Sequence, residues 1–131
     1  MVRPLPEKRS VSAFVDIGAI PPQQVWEHIV ARSVHGERLT LAVIELGPGA
    51  VAAEHSHVNE QLGIVLRGSI RFRVGNEERE LGPGGTWSIT PGTPHEATAG
   101  ADGATVIDVF APTRDDWKQI ERQEPRPGRW P

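Results

Sequence analysis

The chain has 131 residues, with 14 Lys and Arg against 17 Asp and Glu, five His and no Cys, for a formal net charge of -3. That length holds one hydrophobic core and one domain. The mildly acidic balance, without any basic block interleaved with aromatics, argues against nucleic acid as a partner. The lack of cysteine excludes disulfides and thiolate ligands, so any metal would rest on nitrogen and oxygen donors.

The N-terminal stretch MVRPLPEKRSVSAF has no apolar run long enough for a signal peptide, and nowhere do 18 apolar residues follow one another. No membrane association is expected, and the default location is the cytoplasm. Residues 25–34 read as extended or irregular, and His35-Gly36 reads as a hairpin turn before the β-rich run Arg38 to Leu46. Gly47-Pro48-Gly49 ends that run and leads into a strand carrying His55 and His57. Leu62 to Leu66 reads as a further strand, which Gly68 is expected to break. Ser69 to Val74 alternates, with Ile70, Phe72 and Val74 on one face and Ser69, Arg71 and Arg73 on the other. Gly75-Asn76 turns the chain; Glu77 to Leu81, Thr86 to Thr90 and Ala104 to Phe110 complete the extended runs. Short strands recurring every eight to twelve residues or so predict an all-β sandwich or barrel. One helix is expected, capped by Thr113, with Asp115 and Asp116 in its first turn before Trp117. The Pro-rich tail after Glu124 should be extended or disordered. The expected organisation is an N-terminal arm with the first strands at 1–35, a barrel core at 36–112, and the helix and tail at 113–131, all one domain.

Chemistry concentrates in two places. On a strand, successive side chains alternate, so His55 and His57 point to one face and can share a metal ion. The same parity adds Asn59 and Gln61 and sends Glu54, Ser56 and Glu60 to the other side, which makes Gln61, not Glu60, the third inward group. His28 and His35 read as ordinary surface or packing residues. Asp108 shares a face with Val106 and Phe110, and a carboxylate on an apolar strand is costly unless a partner compensates it. Such placement perturbs a pKa and suits an acid or base. Arg114 is available either as an ion-pair partner closing the barrel end over Asp108 or as a bidentate anchor for a substrate carboxylate. Arg71 and Arg73 either line the pocket or are exposed strand arginines.

The spacing is Gly49, five residues, His55-Ser-His57, three residues, Gln61, six residues, Gly68; fifteen residues later it is Gly84, five residues, Thr90-Pro-Gly92, two residues, His95. These blocks closely resemble the paired motifs of the cupin superfamily, small β-barrels that hold a divalent metal between two His and one Glu of the first motif and a His of the second. The resemblance implies a double-stranded β-helix barrel, with His55, His57, Gln61 and His95 as metal ligands. Gln61 stands where the family usually has Glu, Thr90 where it has Pro, and Ala99 where a final Asn is common. A neutral donor set leaves the dipositive charge uncompensated, which favours Lewis-acid chemistry over support of a higher oxidation state. One divalent ion per chain is implied, and Zn, Ni, Mn, Fe or Cu would all suit these donors.

The wording EHSHVNEQLGIVLRG, LGPGGTWSITPGTPHEA and VIDVFAPTRDDW resembles more narrowly the small single-domain cupins related to the pectin-degradation protein that linearises unsaturated uronates. Their His, His, Gln, His set and their Asp-x-Phe-x-x-x-Arg cluster match His55, His57, Gln61 and His95, and Asp108, Phe110 and Arg114. This resemblance implies catalytic roles for Asp108 and Arg114, substrate binding by Phe110 and Arg114, and a homodimer. The expected activity is that of a metal-dependent, non-redox lyase, hydratase or isomerase on a small polar acid such as an unsaturated uronate. The competing classes are a metal-dependent dioxygenase and a non-catalytic small-ligand or carbohydrate sensor.

Overall fold

Runs rich in β-branched residues, separated by Gly and Pro turns, become eight antiparallel strands in the computed structural model, which describes residues 12–130. The strands are β1 (Gln23–Trp26), β2 (Ile29–His35), β3 (Thr40–Leu46), β4 (Val51–His55), β5 (Glu60–Val74), β6 (Glu77–Leu81), β7 (Thr86–Ile89) and β8 (His95–Ala111). A short 3-10 turn at Ile17–Ala19 precedes them, and one turn of α-helix, α1 (Asp115–Lys118), follows. No described helix is long and apolar enough to cross a membrane.

The two long strands organise the fold, because each runs through both layers of a single eight-stranded sheet. The first part of β5 pairs with β7 and with the end of β8, which also pairs with β3, giving the layer β1-β2-β3-β8-β5-β7. The second part of β5 pairs with β6 and with the start of β8, which pairs with β4. The crossover lies where the β5–β8 register shifts, between Val65 and Arg67 and between Gly68 and Ile70. Gly68 therefore does not end a strand. At φ +75° it bends β5 from one layer into the next, and a Cβ there would lie within 3.0 Å of the Gly103 carbonyl. The run expected at Ala104 to Phe110 likewise extends back to His95 as one strand.

Between the two layers lie Ile29, Val65, Ile70, Ile89 and Phe110, each 2% exposed or less. Burying each contributes about 1.5–3 kcal/mol. Ile29, Ile70 and Phe110 of this core also line the cavity that His55 and His95 share. The 25–34 stretch is a β1–β2 hairpin, turned at His28 with φ +62°.

The terminal segments pack on the outside. The Arg32 guanidinium, 3% exposed, pairs with Glu45 and donates to the Ile20 and Arg126 carbonyls, while the Arg129 amide donates to Glu45. The Pro-rich tail is extended, held by this buried pair. The helix is shorter than the sequence implies: it ends at Lys118, and its N-cap is Arg114, not Thr113. The Thr113 hydroxyl donates instead to the Asp115 carboxylate.

Candidate metal centre and pocket

Three histidines converge at the open end of the barrel. His55 is the last residue of β4, His57 lies beyond that strand, and His95 opens β8 opposite His55. The expected two-histidine strand is thus half strand and half loop, held by the Gly92 amide donating to the His57 carbonyl. Ring centroids lie 4.3 Å apart for His55 and His95, 4.9 Å for His57 and His95, and 5.8 Å for His55 and His57. Their ligand nitrogens all fall within 4.8 Å of one another. Thr90, in the place of the usual proline, bonds its hydroxyl to that of Thr93 at 2.7 Å and so braces the turn before His95.

Each ring has its Nδ1 against a backbone carbonyl: Ala53 for His55 at 2.7 Å, Asn59 for His57 at 3.0 Å and Thr93 for His95 at 2.8 Å. A carbonyl only accepts, so Nδ1 carries the proton and Nε2 presents a lone pair. This is the arrangement in which outer-shell carbonyls aim imidazoles at a metal. Burial holds the His95 pKa down at about 4, and burial with the nearby Arg114 charge lowers that of His57, so both rings are neutral at neutral pH.

Two observations test whether a cation fits. His95 Nε2 is buried without a hydrogen-bond partner, which is costly for an imidazole lone pair in an apolar surround. Gln61 Oε1 lies 3.0 Å from His57 Nε2, and both atoms are acceptors when the His57 proton sits on Nδ1. Facing acceptors repel unless a positive charge lies between them. The donor set of His55, His57, His95 and Gln61 fits a divalent cation on both counts.

The orientation of Gln61 is set from behind. Its Nε2 donates to Asp108 Oδ1 at 2.9 Å, and Trp87 Nε1 donates to the same oxygen at 2.7 Å. In the sheet, Gly63 stands between these partners, in register with Trp87 on β7 and with Asp108 on β8. A Cβ at Gly63 would come under 3.0 Å from both side chains. The glycine is the gap through which indole and carboxylate meet. Burial pushes the Asp108 carboxyl up to about 6, against the opposing pull of the Gln61 and Trp87 donors and the Arg114 charge.

A cavity of about 300 Å³ opens beside this cluster, lined among others by His55, His95, Asp108, Phe110 and Arg114. Arg114 does not close over Asp108 as an ion pair. Its carboxylate is Asp116, met in bidentate fashion at 3.0 and 2.9 Å, and its guanidinium lies 4.6 Å from the Phe110 ring centre and 4.2 Å from that of Trp117. Asn59, of the same parity as the ligands, is buried but donates to the Pro112 and Thr113 carbonyls. Arg71 and Arg73 do not line the cavity; they pair with Glu80 and with Glu54 and Glu96. His28 is exposed beside Glu27, and His35 bonds Thr40, both away from the site.

Sequence reasoning missed Trp87, Trp117, Asp116 and Trp26, the last 5.0 Å from His55. Four tryptophans in a chain with no tyrosine were the available signal. Trp87 and Ile89 also share inward parity on β7.

The cupin domain model matches residues 42–110, the span that contains all four candidate ligands. The chain belongs to the cupin family. Among solved structures, this cupin is similar to KdgF from Halomonas sp., with 30% identity over 81% of this chain and 98% of that one at a TM-score of 0.74. An RmlC-like cupin from Shewanella frigidimarina matches 81% of the chain and 96% of its own, at 21% identity and a TM-score of 0.75. TT1209 from Thermus thermophilus covers 78% of the chain and 99% of its own, at 26% identity and a TM-score of 0.66. No curated protein sequence matches this cupin.

Proposed function

We propose that this cupin is a metal-dependent, non-redox lyase, hydratase or isomerase acting on a small polar acid such as an unsaturated uronate. The observation that carries the reading is a buried carboxylate, Asp108, hydrogen-bonded to the Gln61 of a neutral His, His, Gln, His donor set at a cavity that Arg114 also lines. The resemblance of both sequence blocks to the uronate-linearising cupins, and the 30% identity with Halomonas KdgF, support the same class.

His55, His57, Gln61 and His95 would hold one divalent ion, which supplies Lewis acidity toward a carbonyl, hydroxyl or water oxygen when bound. Arg114, clamped between Phe110 and Trp117, offers a fixed cation to the substrate carboxylate. Phe110 shapes the floor of a cavity at the small end of ligand-pocket sizes. Asp108 moves the proton. In ring opening of an unsaturated uronate, water adds across the ring enol ether, hydroxyl to one carbon and proton to the other. The resulting hemiketal opens as its hydroxyl proton leaves and the ring oxygen gains one. Both steps need a group that gives and takes protons beside the reacting carbon, within reach of a carboxylic acid poised near neutrality.

The ligand is a small molecule, not nucleic acid or a membrane, and we take the protein to be a cytoplasmic homodimer. The exposed Leu41 and Leu62, flanking Val109 in one cross-strand row on the outer face, support pairing of two copies.

Incubation of metal-loaded protein with unsaturated uronates should remove their conjugated absorbance faster than the uncatalysed rate. Arg114→Gln should raise KM about 10- to 100-fold, the value of a charge-assisted hydrogen bond. An unchanged absorbance decay with the metal-loaded wild type would discard this substrate class.

A further inference from the structure

An amide side chain has a donor end and an acceptor end, and both ends of Gln61 are used. Its oxygen faces His57 and its nitrogen faces Asp108. Gln61 is 6% exposed and Asp108 4%, so neither contact is shared with bulk solvent. A glutamate at position 61 would keep the oxygen toward the histidines but would turn a second oxygen toward Asp108 Oδ1, across a contact now 2.9 Å long. Two buried carboxylates would then face each other with no N–H between them, a costly arrangement. Trp87 cannot relieve it, because its indole has one N–H and that already meets Oδ1. Gly63 leaves no side chain to intervene.

We propose that Gln61 and Asp108 act as one unit, in which the negative charge in contact with the donor set resides on Asp108 and obliges position 61 to be a carboxamide. The departure from the usual glutamate is thereby explained by a residue 47 positions away. The charge can be moved but not doubled: Gln61→Glu is compatible with the fold when Asp108→Asn accompanies it. The asparagine keeps a neutral oxygen as the acceptor for Trp87 and removes the second charge that the glutamate would otherwise face. Asp108 is in this respect a positioning residue for Gln61, whatever it does to substrate. The inference rests on the metal-site reading only for its purpose; the pairing itself is the observed Gln61–Asp108 hydrogen bond.

The test is thermal unfolding of four chelator-treated proteins at pH 8: wild type, Gln61→Glu, Asp108→Asn and the double variant. Gln61→Glu alone should melt roughly 5–10 °C below wild type, and the double variant should recover the part of that loss that comes from like charges. A Gln61→Glu protein as stable as wild type, or a double variant whose loss equals the sum of the single losses, overturns the proposal. Repeating the melts with zinc separates the two readings. Zinc should raise the melting temperature of Gln61→Glu more than that of wild type, since a cation beside position 61 offsets the second carboxylate. A metal-free series that behaves as expected while zinc shifts none of the four would retain the Gln61–Asp108 unit and remove the metal site.

Discussion

His95→Ala will cost the protein its divalent metal. His95 is the ring closest to the other two, at 4.3 and 4.9 Å between centroids, and the one whose Nε2 is buried without a partner. Its ring is aimed by the Thr93 carbonyl and kept neutral by burial, so it presents a lone pair at neutral pH without having to lose a proton. If four donors share a binding free energy of about 10–16 kcal/mol, loss of one removes about 2.5–4 kcal/mol, or two to three orders of magnitude in affinity. Competition titration against a zinc chelator, with metal content by elemental analysis, measures this directly. A His95→Ala protein that keeps one zinc per chain at wild-type affinity would show that the histidine cluster is not the metal site.

Gly63→Ala should damage both the fold and the candidate site. The new Cβ would displace the Trp87 indole, the Asp108 carboxylate, or both, since it lies under 3.0 Å from each. Overpacking costs about 1–3 kcal/mol. Leaving the buried Asp108 short of one donor adds about 1–3 kcal/mol more. For a chain of this length the sum lowers Tm by roughly 8–20 °C. Gly82→Ala is the matched control, because a Cβ there meets nothing within 4 Å. Differential scanning calorimetry gives the loss of stability, and tryptophan emission reports whether the Trp87 indole has left Asp108. Melting within a degree of wild type, with unchanged emission, would mean that the gap over Gly63 does not organise the site.

Much of the site was legible in the sequence, and the reasons differ from residue to residue. Side-chain parity selected Gln61 over Glu60, and Gln61 does face the histidines while Glu60 is exposed. That parity succeeded even though β4 stops at His55, because the loop carrying His57 returns the ring to the same side. The apolar run around Asp108 correctly marked a buried carboxylate, which is 4% exposed. Glycine was read less well. By local pattern Gly68 reads as a strand end, yet a positive φ inside a long strand makes a bulge that carries β5 into the second layer. Local pattern cannot separate those outcomes, since both need the same backbone freedom and only the partner strand decides.

Of the two roles read for Arg114, the ion pair with Asp108 failed for a related reason. Two opposite charges six residues apart around a strand end invite pairing, but Arg114 turns to Asp116, two residues on, and lies against Phe110 and Trp117. Proximity along the chain did not reveal which carboxylate the guanidinium would face.

By itself, then, the sequence determined the all-β class, the spacing of the two motifs and the chemical types of the four candidate ligands. The class follows from alternation and turn residues, and His55, His57 and Gln61 from side-chain parity, all local properties of a chain, while His95 is added by the resemblance of the second motif to the cupin pattern. Only the tertiary structure decided what each of those groups is bonded to. Asp108 meets Gln61 across 47 residues and Trp87 across 21, and Gly63 matters only because β7 and β8 lie on either side of it. Such contacts depend on which strands the two long β-strands recruit as they pass from one layer to the other, and no window of sequence contains that information.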